Sequence, residues 1–335
     1  MDYQVFQRHT KSQGEISVLV HSTESVDSIE ARLDNQPWQQ IANSIQAPAG
    51  GCYRLEVRTR RDGKTTATAG VDHVGVGEVF VVAGQSNSTN YGEELQRTRT
   101  RMVATFDGQT WRLADDPQPG VQDDSHMGSF LPPFGDALYE KLRVPIGVAS
   151  AGAGSTSVRQ WLPRGDRFAS QPTAPKFVLP ASPGEWESDG RLFEGLLARI
   201  RQLGSAGSFR ALLWHQGESD AHQPAGHEIS AAEYRRMMER LIRESRREAG
   251  WAFPWLVAQA TYHSPVDPGA PEIRDAQASL WSAGLAFPGP DTDTLTGGNR
   301  QNGGRGVHMS GKGLEAHGRL WAEKVLEFLA RIGAM

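Results

Sequence analysis

Residues 78–92 read EVFVVAGQSNSTNYG. Five residues suited to a buried strand, 79–83, run into Gly84-Gln85-Ser86-Asn87, after which the chain turns polar. An unbroken apolar run rich in valine marks a strand covered on both faces, as in a parallel sheet under helices. Runs of the same kind occur at 144–151, 211–214 and 255–260. Between and after them lie helix-like segments at 134–142, 192–203, 231–248, 271–280 and 311–332. In the last of these Leu314, His317, Trp321, Val325 and Phe328 fall on one stripe, as a core-facing helix requires. Strands alternating with helices predict a doubly wound, three-layer α/β domain built on a parallel sheet over residues 75–335.

The first 74 residues are different. Alternating runs at 15–20, 28–33 and 53–58, with turn residues at 34–35, 48–51 and 62–63, predict half-buried antiparallel strands. Nothing there has a helical period, so residues 1–74 are expected to form a small β-sandwich, an accessory domain beside the α/β domain. The irregular stretches 105–129, 162–190 and 284–307 are long, and loops of that length in a compact domain usually carry function.

Composition narrows the classes. The 335 residues are 38% hydrophobic and 22% charged, which describes a globular chain with enough apolar residues for a full core. A net charge of −4 gives no nucleic-acid footprint, and no stretch approaches the 18 apolar residues of a membrane span. One cysteine, Cys52, allows no internal disulfide and is compatible with cytoplasm, periplasm or secretion. The opening MDYQVFQR lacks the pattern of a signal peptide; removal of such a peptide would favour periplasm or secretion. Oligomeric state leaves no trace in the sequence.

In a parallel α/β sheet, ligands bind beyond the carboxyl ends of the strands. The residues after the four apolar runs are Gly84-Gln85-Ser86-Asn87, Gly152-Ala153-Gly154-Ser155-Thr156, His215-Gln216-Gly217-Glu218-Ser219-Asp220 and Thr261-Tyr262-His263. A serine becomes a nucleophile when it has an adjacent base and donors for the oxyanion that forms. Ser86 stands where a strand turns, with its own N–H available. Gly154 lies in a turn where the backbone can approach a ligand, and Gln216 carries a side-chain amide. Of ten histidines, His308 lies in a loop just before the last helix, with Ser310 as that helix's N-cap. His215 follows a buried strand and reads as packed and hydrogen-bonded rather than as the base. His222 and His227 lie on a polar loop with no metal-ligand pattern, and no cofactor or metal is expected.

These blocks resemble the SGNH hydrolases. GQSN after a strand, the glycine turn leading to Val158-Arg159-Gln160-Trp161, WHQGESD at 214–220 and GVH at 306–308 resemble most closely the carbohydrate O-acetylesterase branch. That branch includes sialate O-acetylesterases and acetyl-xylan esterases. The resemblance covers about residues 75–330, and residues 3–8 look like the opening of the β-sandwich that precedes the catalytic domain in many members. It implies a flavodoxin-like SGNH fold, Ser86 as nucleophile, His308 as general base, and an oxyanion hole made by the N–H groups of Ser86 and Gly154 and the Gln216 amide.

The family's acid lies three residues before the histidine, where this chain has Arg305. Support for His308 could come from the backbone carbonyl of Arg305, which is the favoured reading, from Glu218 or from Asp293. Trp111, Trp161, Trp186 and Tyr262 lie in or near the long loops as candidate sugar platforms. Arg274 and Gln277 resemble a structural pair.

The resulting expectation is a metal-independent serine esterase that deacetylates a carbohydrate: a polysaccharide, an oligosaccharide or a sialic acid. The alternatives are a general short-chain ester hydrolase and a non-catalytic carbohydrate-binding protein with a decayed site.

Overall fold

The computed structural model describes residues 1–22 and 25–335. The chain opens with short strands β1 (Val5–Gln7), β2 (Gln13–Ser17), β3 (Ser28–Leu33), β4 (Gln39–Ile41) and β5 (Ser44–Pro48). Two long strands follow, β6 (Gly50–Arg61) and β7 (Lys64–Gly84). β2 pairs with β5 as a separate two-stranded sheet, while β4, β3, β6 and β7 form an antiparallel series. Ile16, Ala31, Leu33, Ile45, Leu55 and Val74 are buried together, so the two sheets close over a core of their own.

β7 is the hinge of the architecture. Its first half pairs with β6, and its second half is the central strand of the large sheet. The strand therefore continues through position 74, where the composition changes. Along that second half Val79, Val81 and Ala83 join one core while Phe80 and Val82 join the other. This two-sided burial is why the sequence there is apolar without alternation.

The chain then adds β8 (Val103–Phe106) and β9 (Trp111–Leu113), helix α1 (Leu131–Leu142) and β10 (Ile146–Ser150). A small antiparallel sheet of β11 (Arg167–Phe168), β12 (Val178–Ser182) and β13 (Glu185–Ser188) precedes α2 (Arg191–Leu203). β14 (Ala211–His215), α3 (Glu218–Ala221), α4 (Ala231–Ala249), β15 (Trp255–Gln259), α5 (Pro271–Ser282) and β16 (Phe287–Asp291) follow. The short turn α6 (Gln301–Gly304) and helix α7 (Gly311–Arg331) complete the chain.

The order across the large sheet is β16-β15-β14-β7-β10-β8-β9, parallel except for β9. Residues of α1 and α7 pack on one face, and residues of α2, α4 and α5 on the other. The fold is therefore mixed α/β with a large, mostly parallel central sheet. Strand order reverses around β7, which puts the crevice where such sheets bind ligands at the end of β7.

The helix ends follow local rules. Ser230 and Glu233 form a capping box on α4, and Ser310 Oγ accepts the Gly313 N–H at 3.1 Å on α7. Among the described residues no helix is long and apolar enough to cross a membrane. Three elements lie where the sequence reading had only loops: the hairpin β8–β9, the small sheet β11–β13, and β16. β16 reads Phe-Pro-Gly-Pro-Asp. Two prolines hide it from any propensity argument, and it is tolerated because it lies at the sheet edge.

Candidate active site

The end of β7 is shaped by a close approach. Gly84 has φ 130°, and a Cβ there would lie 2.0 Å from the His215 carbonyl oxygen, so only glycine lets β7 and β14 run together to their ends. Gln85 continues the tie: its N–H donates to His215 O at 2.9 Å, and its Oε1 accepts Gly217 N at 3.2 Å and Ser219 N at 3.0 Å. Ser86 then opens a single 3₁₀ turn, Ser86–Ser88, and is 4% exposed.

Asn87 is the clasp of the site. Its Nδ2 donates to Glu218 Oε1 at 2.8 Å and to Val307 O at 3.3 Å. One side chain beside Ser86 thereby ties together the end of β14 and the loop that carries His308. The GQSN motif is the sequence signal for this residue, although only its serine carries an expected role there.

Glu218 is buried, and its Oε1 also faces His215 Nε2 at 3.1 Å. Its other oxygen, Oε2, has no hydrogen-bond partner among the described residues. Burial pushes its carboxyl up, but the charge and hydrogen bond of His215 and the bond from Asn87 outweigh this and hold it below the usual carboxylate range. Behind it, Trp321 Nε1 and His215 Nδ1 both lie 3.1 Å from His317 Nε2. An indole N–H only donates, so His317 Nε2 accepts from Trp321. His215 Nε2 and Glu218 Oε1 form a buried, hydrogen-bonded pair under the site floor.

The ring of His308 stacks on Tyr91 with centroids 5.0 Å apart. Burial lowers its pKa from the usual imidazole value; the charge of Glu218 opposes this and that of Arg300 adds to it. Arg300 pins the loop from inside by donating to Thr292 O at 2.9 Å, Leu295 O at 2.5 Å and Val307 O at 2.6 Å.

Three expectations about this site need correction. Gln216 does not present a free amide: its Nε2 donates to Thr156 O at 3.1 Å and Asp220 Oδ2 at 2.6 Å, and Tyr234 donates to its Oε1 at 3.1 Å. Both amide protons are taken, because the residue is fully enclosed between the end of β14, α3 and α4. Asp293 is likewise committed, accepting from Thr261 N at 2.7 Å, Tyr262 N at 2.9 Å and Arg274 Nη1 at 2.6 Å. The Arg305 side chain is exposed, with Nε 3.3 Å from Asn302 O, and His308 Nδ1 meets the Gln301 side chain rather than the Arg305 carbonyl.

The Gly154 N–H does face an anion, namely Asp123 Oδ2 at 2.5 Å. The next residue, Ser155, is exposed and sits in the left-handed region at φ 58°, a conformation non-glycine residues adopt at a cost and often near functional sites. From there a cavity of about 320 Å³ runs along Ser157, Ser219, His222, Gln223 and His263.

Of the aromatic candidates, Trp161 packs edge-on against Trp214 in the core, Trp111 stacks on Phe106, and Tyr262 lies buried under the Arg300 guanidinium. Their faces are spent on packing. Trp186 is half-buried on β13. Gln277 Nε2 donates to Gln216 O at 3.0 Å, a bracing contact.

The serine turn, the buried carboxylate and the histidine loop meet at the strand ends of this α/β fold, and comparison with known proteins gives the family. The chain matches, over residues 76–327, the family described as carbohydrate esterase, sialic acid-specific acetylesterase, and it belongs to that family. It is a carboxylic ester hydrolase. A carbohydrate acetylesterase from Xanthomonas citri is similar in structure, with TM-score 0.58 and 17% identity over 96% of this chain and 72% of that one. A protein from Arabidopsis thaliana is similar with TM-score 0.51 and 19% identity over 75% of this chain and 98% of that one. At these identities the likeness is one of fold. No curated protein sequence matches the chain.

Proposed function

We propose that the chain removes O-acetyl groups from a carbohydrate through a Ser86–His308 centre and an acetyl-enzyme. Ser86 Oγ attacks the acetyl carbonyl while His308 Nε2 takes its proton. The histidine then delivers that proton to the leaving sugar oxygen. Water repeats the sequence on the acetyl-serine, with His308 as base, and releases acetate.

The observation that carries this reading is the clasp by Asn87. It joins the turn of Ser86 to Glu218 and to the His308 loop, so that serine, histidine and carboxylate share one crevice at the end of β7. Burial lowers the His308 pKa, which keeps the ring neutral and able to act as a base at neutral pH. Glu218 is the buried charge that favours the imidazolium once the proton has moved, the task of the acid in a serine triad.

For the oxyanion we assign the backbone N–H groups of Ser86 and Gly154. Asp123 Oδ2 occupies the acceptor position at Gly154 that a developing oxyanion would take on binding. Gln216 braces the β14 turn instead of donating.

The acetylated sugar fits the polar cavity beyond Ser155, whose hydroxyl, amide and imidazole groups suit a glycan. A polysaccharide, an oligosaccharide and a sialic acid share this chemistry. Residues 1–74 are proposed as a β-sandwich accessory unit and 75–335 as the catalytic unit. In support, the first unit has its own buried cluster around Ile16, Leu33 and Leu55.

The test is acetate release from a panel of acetylated sugars and polysaccharides, wild type beside Ser86→Ala. Release lost in the variant supports the reading and ranks the sugars. Release that persists in Ser86→Ala overturns it.

A further inference from the structure

His308 has a partner on the ring nitrogen that faces away from its task. Gln301 Nε2 lies 3.1 Å from His308 Nδ1. We infer that Gln301 is the positioning residue of the catalytic histidine, standing where a serine triad has its carboxylate. This rests on the assignment of Ser86 and His308 made above.

The chain is built to hold this contact. The Gln301 N–H donates to His308 O at 3.0 Å, and Gly306 N donates to Gln301 O at 3.0 Å, so main chain and side chain grip the loop together. Between them the backbone doubles back through Asn302 at φ 54° and Gly303 at φ 65°. Gly306 completes the fit: a Cβ there would come within 2.3 Å of Gln301 Cγ. Any larger residue at 306 would push the Gln301 side chain off the ring. The six residues between Gln301 and His308 thus fold back so that an amide meets an imidazole.

An amide at this place works in only one orientation. With its oxygen toward the ring, Gln301 accepts a proton from Nδ1 and leaves the Nε2 lone pair for the Ser86 hydroxyl. With its nitrogen toward the ring, the proton moves to Nε2 and His308 cannot act as base. Amide oxygen and nitrogen are distinguished only by their hydrogen-bond network. Among the described residues nothing is bonded to Gln301 Oε1, so the amide is free to turn its oxygen inward. A side-chain amide orients the histidine of cysteine proteases in the same sense.

Gln301 carries no charge, so it fixes the tautomer while another group stabilises the imidazolium. The groups facing His308 are Tyr91 on one ring face, Glu218 and Arg300 with opposite charges, and Val307 O through Asn87. Asp123 and Asp124 act one step away, on Tyr91. Positioning and charge, which one carboxylate combines in a triad, are here divided between Gln301 and Glu218.

The experiment compares kcat and KM for para-nitrophenyl acetate across pH in wild type, Gln301→Ala, Gln301→Glu and His308→Ala. Gln301→Ala is expected to lower kcat roughly 10²-fold with KM unchanged. Gln301→Glu accepts only, which locks the productive tautomer. It should restore most of the kcat lost in Gln301→Ala and move the acid limb of kcat/KM up by about one unit, because a carboxylate beside the ring favours its protonated form.

A Gln301→Ala enzyme with the wild-type kcat and pH profile overturns the inference. So does a folded Gln301→Glu enzyme whose acid limb does not move, and this second variant decides the matter if the first fails to fold. Activity that survives in His308→Ala instead overturns the assignment of the base itself, so the two failures are separable.

Discussion

The two ends of the central sheet each bury a carboxylate, and the two are treated differently. At the amino end Glu78 is fully enclosed, and both of its oxygens are bonded. Oε1 receives Arg8 Nε at 2.6 Å, while Oε2 receives Arg210 Nε at 2.7 Å and Gln7 Nε2 at 3.0 Å. Arg8 also reaches Ala334 O at 2.8 Å, so the cluster ties the first strand, the central sheet and the C-terminus together. At the carboxyl end Glu218 is also buried, yet its Oε2 has no partner among the described residues. A buried acceptor left open costs free energy unless something later uses it. The closed cluster is a fastening. The open one faces the histidine loop.

If that contrast is right, perturbations at the two ends should separate stability from turnover. The largest effect belongs to Ser86→Ala, which should lower kcat for acetate release roughly 10⁴-fold or more while Tm holds. Residual acetate release near the wild-type rate would move the nucleophile elsewhere.

Next in size, Glu78→Ala strands two arginines at the amino end and should cost about 3–5 kcal/mol in urea unfolding. Turnover per folded molecule, normalised by active-site titration, should not change. Glu218→Gln should do the reverse, with kcat down about 10²-fold and a small change in stability, since a glutamine oxygen still accepts from Asn87. It should also shift the pH profile. Burial lowers the His308 pKa and Glu218 opposes that, so losing the charge lets the pKa fall further and moves the acid limb of kcat/KM to lower pH. A limb that stays in place would reduce Glu218 to scaffolding.

The smallest effect is on stability against pH. His317, in its fully buried setting, is pushed well below the ordinary imidazole value by burial and by the charges of His215 and Arg300. The unfolded chain takes up this proton first, at about pH 6.5. The contribution is therefore complete above that pH and is lost as pH falls, by about 1.4 kcal/mol per pH unit. His263 and His308 act in the same sense but more weakly, being partly solvated. Asp116, pushed up to about 6 by burial, acts in the opposite sense because the folded state binds its proton more readily. Urea midpoints at pH 7 and pH 5 should show a net loss on acidification, and His317→Phe should flatten it.

Much of this arrangement is local enough to read from the chain. The apolar runs at 79–83 and 255–260 announce strands buried on both faces, and the stripe Leu314, His317, Trp321, Val325 and Phe328 announces a core helix; all five of those residues are buried. Ser86 and His308 stand out because each lies at the end or the start of such an element. β7 shows the limit. Its first half falls in the stretch expected to form a separate sandwich, and nothing in that half hints that one strand spans residues 64 to 84 and serves two sheets.

By itself, then, the sequence determined the α/β class, the strand that presents the serine, the helix that follows the histidine and the esterase family. These depend on periodicity and on short contiguous motifs, which act over a few residues. Direction and partnership were decided only in the tertiary structure. Gln216 could face the substrate or the core until Asp220 and Tyr234 closed around it. The Gly154 N–H had no visible partner until the 105–129 loop brought Asp123 to it. Gln301 meets His308 only because two consecutive left-handed residues reverse the chain between them. A side chain's hydrogen bonds are chosen by whatever packing brings within about 3 Å, and that choice is made between segments the sequence keeps far apart.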